Sequence, residues 1–236
     1  MKKLTLLTFL KLLFKAKLFN GFLIIIYMKN KQGKKSKEET VFIMPNGERV
    51  NRRQFCDYFE KKIIRTVRKF NMFRIKDTIS VIIDSRNSIA LLYALNKLAR
   101  SRALSLYAVL AELSEKEKKE AKKFCKERQI QLLKKAKGKI ATAESVDEIA
   151  EMIIEEQFNK KMNLKKALPV YDSGKIRPLS LLSNREIELF VKLKGFPALK
   201  KKKTGRVLEI INTLEKKHPE IKHAIVNSFL QVMDLV

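Results

Sequence analysis

Cysteine occurs only twice in 236 residues, as Cys56 and Cys125, and histidine only twice, as His218 and His223. Two cysteines far apart build no disulfide framework and no CxxC knuckle, and such usage fits a reducing cytoplasm. A closed metal site needs about four ligands at suitable spacing, which this inventory does not offer, so no metal ligands are assigned. The two histidines, beside a break at Pro219, read as helix-end and packing residues. Glycine numbers seven, and none lies where a phosphate-cradling turn would need one. No apolar run reaches the roughly 20 residues of a spanning helix. Residues 1–27 come nearest, yet Lys11, Lys15 and Lys17 interrupt them, and small residues before a cleavage point are missing. Two readings of that segment stay open: an upstream extension ahead of a native start at Met28, or a basic amphipathic helix lying on a membrane.

Positive charge is what the chain has in excess. Lys and Arg number 52 against 25 Asp and Glu, a formal charge of +27 that exceeds what solubility requires and implies a polyanionic partner. Nucleic acid stands ahead of an anionic membrane surface, and a uniformly lysine-rich exterior is the bland alternative. At 45% hydrophobic content the chain can bury one good-sized α/β core. After a flexible lead-in over 29–39, residues 41–44 and Val50 flank a Pro45-Asn46-Gly47 turn and predict a small hairpin. A long helix is expected from Asn51, with Phe55, Phe59, Ile63, Val67 and Phe70 on one face. Its remaining faces are basic. Arginine suits phosphate better than lysine does, so Arg52, Arg53, Lys61, Arg65, Arg68 and Lys69 are candidate RNA contacts, with a merely solvated face as the alternative. Arg177 and the run Lys200, Lys201, Lys202 and Lys203 join them.

The stretch 78–95, TISVIIDSRNSIALLYAL, organises the centre of the chain. Val81, Ile82 and Ile83 form a short β-branched run, the mark of a buried parallel strand. A polar turn is expected over Asp84, Ser85, Arg86, Asn87 and Ser88. Ile89, Leu91, Leu92, Leu95 and Leu98 then recur at helical steps, with Asn87 or Ser88 as the expected cap. A strand feeding a helix through a tight turn aims backbone N–H groups at one spot and favours an anion there. The turn nevertheless lacks the glycine that lets a backbone approach phosphate closely. Strands are expected over 104–110, 130–133 and 139–143. Helices are expected over 114–128, opened by a Ser114-to-Glu117 capping box, and from a Ser145 cap through Phe158. This alternation predicts an α/β fold, a doubly wound parallel sheet with flanking helices, whose ligand crevice lies beyond the strand carboxyl ends. Residues 175–182, KIRPLSLL, should be extended, since Pro178 holds Arg177 out of the helical region. Asn184 is expected to cap a helix over 185–194 that stops at Gly195, and two closing helices over 207–217 and 221–234 follow. The expected organisation is 1–39 extension and linker, 40–73 hairpin and basic helix, 74–182 α/β core and 183–236 helical region.

Three blocks, FCDYFEKKIIRTVRKFNMF (55–73), KIRPLSLLSNREIELFVKLKGFP (175–197) and NTLEKKHPEIKHAIVNSF (212–229), carry a family likeness. With IIDSRNSIALLYAL and ATAESVDEIA they resemble the TtuA-like cytoplasmic tRNA 2-thiolation proteins of the N-type ATP pyrophosphatase (PP-loop) superfamily. The likeness covers most of the chain from residue 50 onward. It implies an adenine nucleotide alpha hydrolase-like fold and adenylation of a uridine carbonyl by ATP with Mg held at an SGGxDS loop. Sulfur would then be delivered through cysteines that hold an iron–sulfur cluster.

Departures from the family pattern bear on that chemistry. The loop positions stand as Ile83, Asp84, Ser85, Arg86, Asn87 and Ser88, of which only the last serine matches. Asp84 replaces a glycine and puts negative charge where phosphate would lie, which Arg86 partly offsets. The TGHNxDD motif stands as Thr142, Ala143, Glu144, Ser145, Val146, Asp147 and Glu148. By this likeness Ser85, Arg86, Asn87, Ser88, Thr142 and Asp147 are vestigial nucleotide-binding candidates, and no residue stands out as catalytic. The CxxC segment is missing, Cys125 falls in the wrong helix and Cys56 is a lone remnant of the flanking zinc knuckles. Neither an iron–sulfur cluster nor zinc is expected, and ATP with Mg only if the loop still functions. The resemblance implies tRNA as partner, with an active thiolation enzyme or a sulfur-carrier protein as a further one and no membrane partner. The expectation is a cytoplasmic, catalytically degenerate protein acting as an RNA-binding or accessory subunit. The alternative is an active ATP-dependent tRNA-modifying sulfurtransferase with a remodelled loop.

Overall fold

Val41 to Val50 turn back on themselves as expected: β1 (Thr40–Ile43) pairs antiparallel with β2 (Arg49–Asn51) across Gly47, whose φ of +81° suits a residue without a side chain. A computed structural model of the chain describes residues 39–158, 164–172, 174–197, 199–200 and 205–234. The expected extension over 1–27, the linker up to residue 38, and Lys201, Lys202 and Lys203 lie outside the described residues. Asn51 caps α1 (Arg52–Lys69): its side chain accepts from the Gln54 amide, while the Gln54 side chain accepts from the Asn51 amide. Phe55, Phe59, Ile63 and Val67 recur every four residues along α1, and all four are buried.

Six strands form the main sheet: β3 (Thr78–Ile83), β4 (Ser105–Leu110), β5 (Gln131–Leu133), β6 (Lys139–Ala141), β7 (Val170–Tyr171) and β8 (Lys175–Ile176). Their order is β5-β4-β3-β6-β8-β7, parallel throughout except for β7, which runs antiparallel to β8. The expected α/β fold with a mostly parallel sheet and flanking helices is therefore present. Successive strands step outward from β3 in opposite directions, first to β4 and β5, then to β6 and β8. Such a reversal opens a crevice at the strand carboxyl ends, here those of β3 and β6. The turns after these two strands border it.

The helices are α2 (Arg86–Arg102), α3 (Glu115–Glu127), α4 (Val146–Phe158), α5 (Asn184–Lys194), α6 (Arg206–Glu215) and α7 (Ile221–Asp234). One apolar core joins the sheet to α1, α2, α3 and α5, with Phe59 of α1 stacked on Phe190 of α5 at a centroid distance of 3.9 Å. A second core, built on Ile149, Ile153, Leu208, Ile211, Val226 and Phe229, joins α4 to α6 and α7. Apolar area leaving water drives both.

Three local features differ from expectation. Ser85, extended at φ −160°, is the cap of α2, so Arg86, Asn87 and Ser88 form its first turn rather than a loop. Ser88, three residues on, accepts from the Asp84 and Ser85 amides and secures this earlier start. Ser183 rather than Asn184 caps α5, because Ser183 and Glu186 complete a capping box with reciprocal bonds of 3.2 and 2.7 Å. The extended segment over 175–182 is short, ending in turns closed by Ser180 N to Arg177 O and Leu182 N to Leu179 O.

Candidate functional site

Asn184, at the start of α5, ties the two crevice turns together. Its side-chain oxygen accepts from Asn87 Nδ2 at 2.8 Å, its Nδ2 donates to Glu148 at 3.0 Å, and its backbone amide donates to Asp147 Oδ2 at 2.8 Å. Ser145 opens α4, its hydroxyl accepting from the Asp147 amide and donating to Glu148. The other oxygen of Asp147 accepts from Lys222 Nζ at 2.5 Å, and Lys222 also donates to Glu215 at 2.7 Å. Burial by itself lowers the pKa of an ammonium, yet these two carboxylates hold Lys222 above the usual lysine value. Asp147 is thus committed to joining α4, α5 and α7.

At the other turn, the amides of Asp84 and Ser85 are bonded to the Ser88 hydroxyl, which donates in return to the Ser85 carbonyl at 2.5 Å. The amide of Arg86, the first of α2, donates to the backbone carbonyl of Lys200 at 3.1 Å. Lys200 is moored on both sides: its amide donates to Glu117 Oε1 at 2.8 Å and its ammonium to the Glu112 carbonyl at 3.0 Å. Beside it Leu199 is only 4% exposed. Residues 199–200 therefore lie as a strap across the helix start that an anion would use. Glu117 is held down to about 2 by the Ser114 hydroxyl and then by the Lys200 and Ser114 amides, so it is a carboxylate at every ordinary pH. It puts negative charge against the Lys200 amide in the strap. Arg86 does not offset this toward a ligand, since its guanidinium pairs with Glu188 at 2.9 Å.

The remaining expected site residues are distributed as follows. Thr142 bonds the Ile176 carbonyl through both its amide and its hydroxyl, joining β6 to β8. Arg177 is 3% exposed, pairs with Glu144 at 3.3 Å, donates to the Leu168 carbonyl and lies over the Tyr171 ring at 3.8 Å. It is an internal tie, reachable by no RNA. Arg52 donates to the Leu193 carbonyl at the end of α5. Arg53, Lys61, Arg65, Arg68 and Lys69 are exposed, and Lys61, Arg65 and Arg68 share one face of α1 at steps of four and three.

Two buried ionic knots were not anticipated. Besides Lys222 with Asp147, the buried Glu186 accepts from Tyr58 at 2.6 Å, from Lys62 at 2.9 Å and from the Ser183 amide and hydroxyl. Burial alone would raise its pKa, but Lys62, Tyr58 and Ser183 together hold it below the ordinary carboxylate value. A signal for Lys222 was available. It stands in step with Ile225, Val226, Phe229 and Leu230, where a helix turns inward.

Among solved structures the chain is similar to U34-tRNA thiolase NcsA from Methanococcus maripaludis, solved with its [4Fe-4S] cluster, at a TM-score of 0.71 over 89% of each chain and 15% identity. The two share a fold. An NH3-dependent NAD synthetase from Campylobacter jejuni, in complex with the nitrate ion, matches at a TM-score of 0.44 and 8% identity, over 78% of this chain and 94% of that one. No family model matches the chain, and no curated protein matches it. The residues present do not fit a cluster of that kind, which cysteine thiolates hold. The chain's two thiols sit on α1 and α3, both buried, and burial pushes both upward in pKa, Cys125 to about 11. Among the described residues no group of three or more His, Cys, Asp or Glu side chains could hold a metal ion. Among them, too, no helix is long and apolar enough to cross a membrane.

Proposed function

We propose that this protein is an RNA-binding relative of the tRNA-modifying PP-loop enzymes that has given up nucleotide chemistry and serves as a cytoplasmic, tRNA-binding or accessory subunit. The observation that carries the reading is the Lys200 carbonyl on the Arg86 amide, which fills the helix start that would otherwise face a phosphate. Asp147 locked to Lys222 and Arg86 locked to Glu188 support it, since both vestigial charges serve the fold. The charge of +27 and the exposed Lys61, Arg65 and Arg68 face support a polyanionic partner. An active thiolation enzyme or a sulfur carrier would supply the missing chemistry.

The test is a calorimetric titration of the purified protein with tRNA and, separately, with ATP and Mg. Expected are tRNA binding that falls steeply with salt and no heat with ATP. The D84G/S85G variant should also fail to bind ATP, because restoring glycines leaves the Arg86 amide occupied. Pyrophosphate release from ATP in the presence of tRNA would overturn the reading in favour of an active transferase.

A further inference from the structure

A cavity of about 690 Å³ lies between the β1–β2 hairpin, α1, the starts of α4 and α5, α6 and the turn from α6 to α7. Its size falls in the range of small-molecule sites, roughly 300–1,000 Å³. Phe42, Ile43 and Pro45 of the hairpin supply an apolar wall. The two ionic knots reach it from the other side, and their charges are spent on each other: Lys62 on Glu186, and Lys222 on Asp147 and Glu215. A phosphate entering there would find no uncommitted cation in either knot and would face three carboxylates. The exposed Arg185, Lys216 and Glu220 also line it, and between them and the knots stand two neutral polar side chains, His223 and Asn212. His223, half-buried, has no hydrogen bond to a described residue, and neither does the Asn212 side chain. Burial, then the nearby Lys62, keeps the His223 imidazole below its ordinary pKa, so at neutral pH one ring nitrogen donates and the other accepts. Asn212 likewise offers a donor and an acceptor. Arg185 sits over the Phe42 ring at 5.8 Å, placing a cationic plane beside an aromatic one at the same wall.

A planar, uncharged ligand with mixed donors and acceptors on its edge matches this chemistry, and a nucleobase is such a ligand. Proteins that read RNA take up unpaired bases by stacking them on aromatic rings or guanidinium planes and bonding their edges. Phosphate partners lie close by: Arg65 and Lys69, both exposed, stand three and seven residues beyond Lys62 on the same flank of α1. We propose that the cavity between the hairpin and α7 receives an unpaired nucleobase of the RNA partner, read by His223 and Asn212, while Arg65 and Lys69 hold the flanking phosphates. The proposal rests on the RNA-binding reading and adds the site and the feature of the RNA that it recognises.

Two RNAs with equal numbers of phosphates separate the possibilities: a blunt duplex, and a duplex with a short single-stranded overhang. Binding is read by fluorescence anisotropy with the full chain. The overhang RNA should bind about tenfold more tightly, as the stacking of a single base provides. H223F/N212A should remove that preference and leave the affinity for the blunt duplex unchanged, whereas R65E/K69E should weaken both. A second measurement does not depend on a variant's folding. Free adenosine and uridine at millimolar concentration should shift the His223 ring resonances in the wild-type protein and leave those of His218 in place. A preference for the overhang that survives in H223F/N212A, or His223 resonances unmoved by every nucleoside, overturns the cavity proposal while RNA binding stands. Failure of the wild-type protein to bind either RNA brings down the RNA reading itself, and this proposal with it.

Discussion

Replacing Lys222 by methionine probes the knot that takes Asp147 out of service as a ligand. The ammonium lies 2.5 Å from Asp147 and 2.7 Å from Glu215, and the side chains of Lys222 and Asp147 are only 6% and 7% exposed. A buried pair as a whole is near break-even against apolar residues, but removing one partner strands the other charge, at about 3–5 kcal/mol. Methionine is close to lysine in volume, so little cavity term is added. Asp147 keeps the Asn184 amide, and Glu215, at 36% exposed, rehydrates readily. The lower end, about 3 kcal/mol, is therefore expected for K222M. For a chain of this size that corresponds to a Tm lower by roughly 6–12 °C. Urea unfolding followed by circular dichroism measures the free energy, and a thermal melt checks it. Combining K222M with D147N should destabilise less than the sum of the single changes, by about 1–3 kcal/mol, because the two residues share one interaction. The pH dependence carries a sign. Burial opposes the raised pKa of Lys222 and the two carboxylates outweigh it, so its contribution is complete below the ordinary value of 10.5 and is lost as pH rises through the folded pKa. The gap between wild type and K222M should narrow above that value. A loss under about 1 kcal/mol at neutral pH would show that the pair is solvated and that Asp147 is free to serve a ligand.

Glu117 gives the strap an acid limit: its folded pKa of about 2 lies under the ordinary 4.5, so its stabilising effect is present above 4.5 and disappears as pH falls through 2. The protection of the Arg86 and Lys200 amides from hydrogen exchange, relative to their intrinsic rates, should fall over that interval, and in E117Q it should be low at every pH. Gly138→Ala should lower the unfolding free energy in urea by about 2–3 kcal/mol, since Gly138 has φ +66° and an added Cβ would collide with the Thr78 carbonyl oxygen. A wild-type midpoint would contradict the close approach of that turn to β3. K61E/R65E/R68E should reduce the salt slope of tRNA binding by about 2–3, near one for each phosphate no longer neutralised, without altering the melting temperature. An unchanged slope would remove this face from the interface.

The elements were legible where one segment dictates its own state. The four-residue recurrence of Phe55, Phe59, Ile63 and Val67, the Val81-Ile82-Ile83 run and the Ser114 capping box each follow from local periodicity or capping, and each is found in place. The cap positions at Ser85 and Ser183 slipped by one to three residues because several adjacent polar side chains compete to cap, and the winner is set by the residue three positions on. The crevice between β3 and β6 followed from strand alternation, whereas the strap did not. No local pattern in 197–200 says that its carbonyl will meet Arg86. Arg177 looked like a surface cation for a similar reason: its partners Glu144, Leu168 and Tyr171 come together only through the pairing of β6, β7 and β8. The cavity beside His223 draws on the hairpin, α1, α4, α5, α6 and α7, and a surface made by six separate segments leaves no mark on any one of them.

The strap also sets an order of events during synthesis. Arg86 leaves the ribosome 114 residues ahead of Lys200, the partner that closes its amide. At about 5–20 residues per second, the start of α2 spends roughly 6–23 s with that bond unmade, and it is completed only after α5 and Gly195 have brought the chain back across the sheet. The crevice is thus shut from a segment that emerges long after the turn it covers. A nascent chain stalled before residue 200 would present the turn in an open form, its first helical amide facing water.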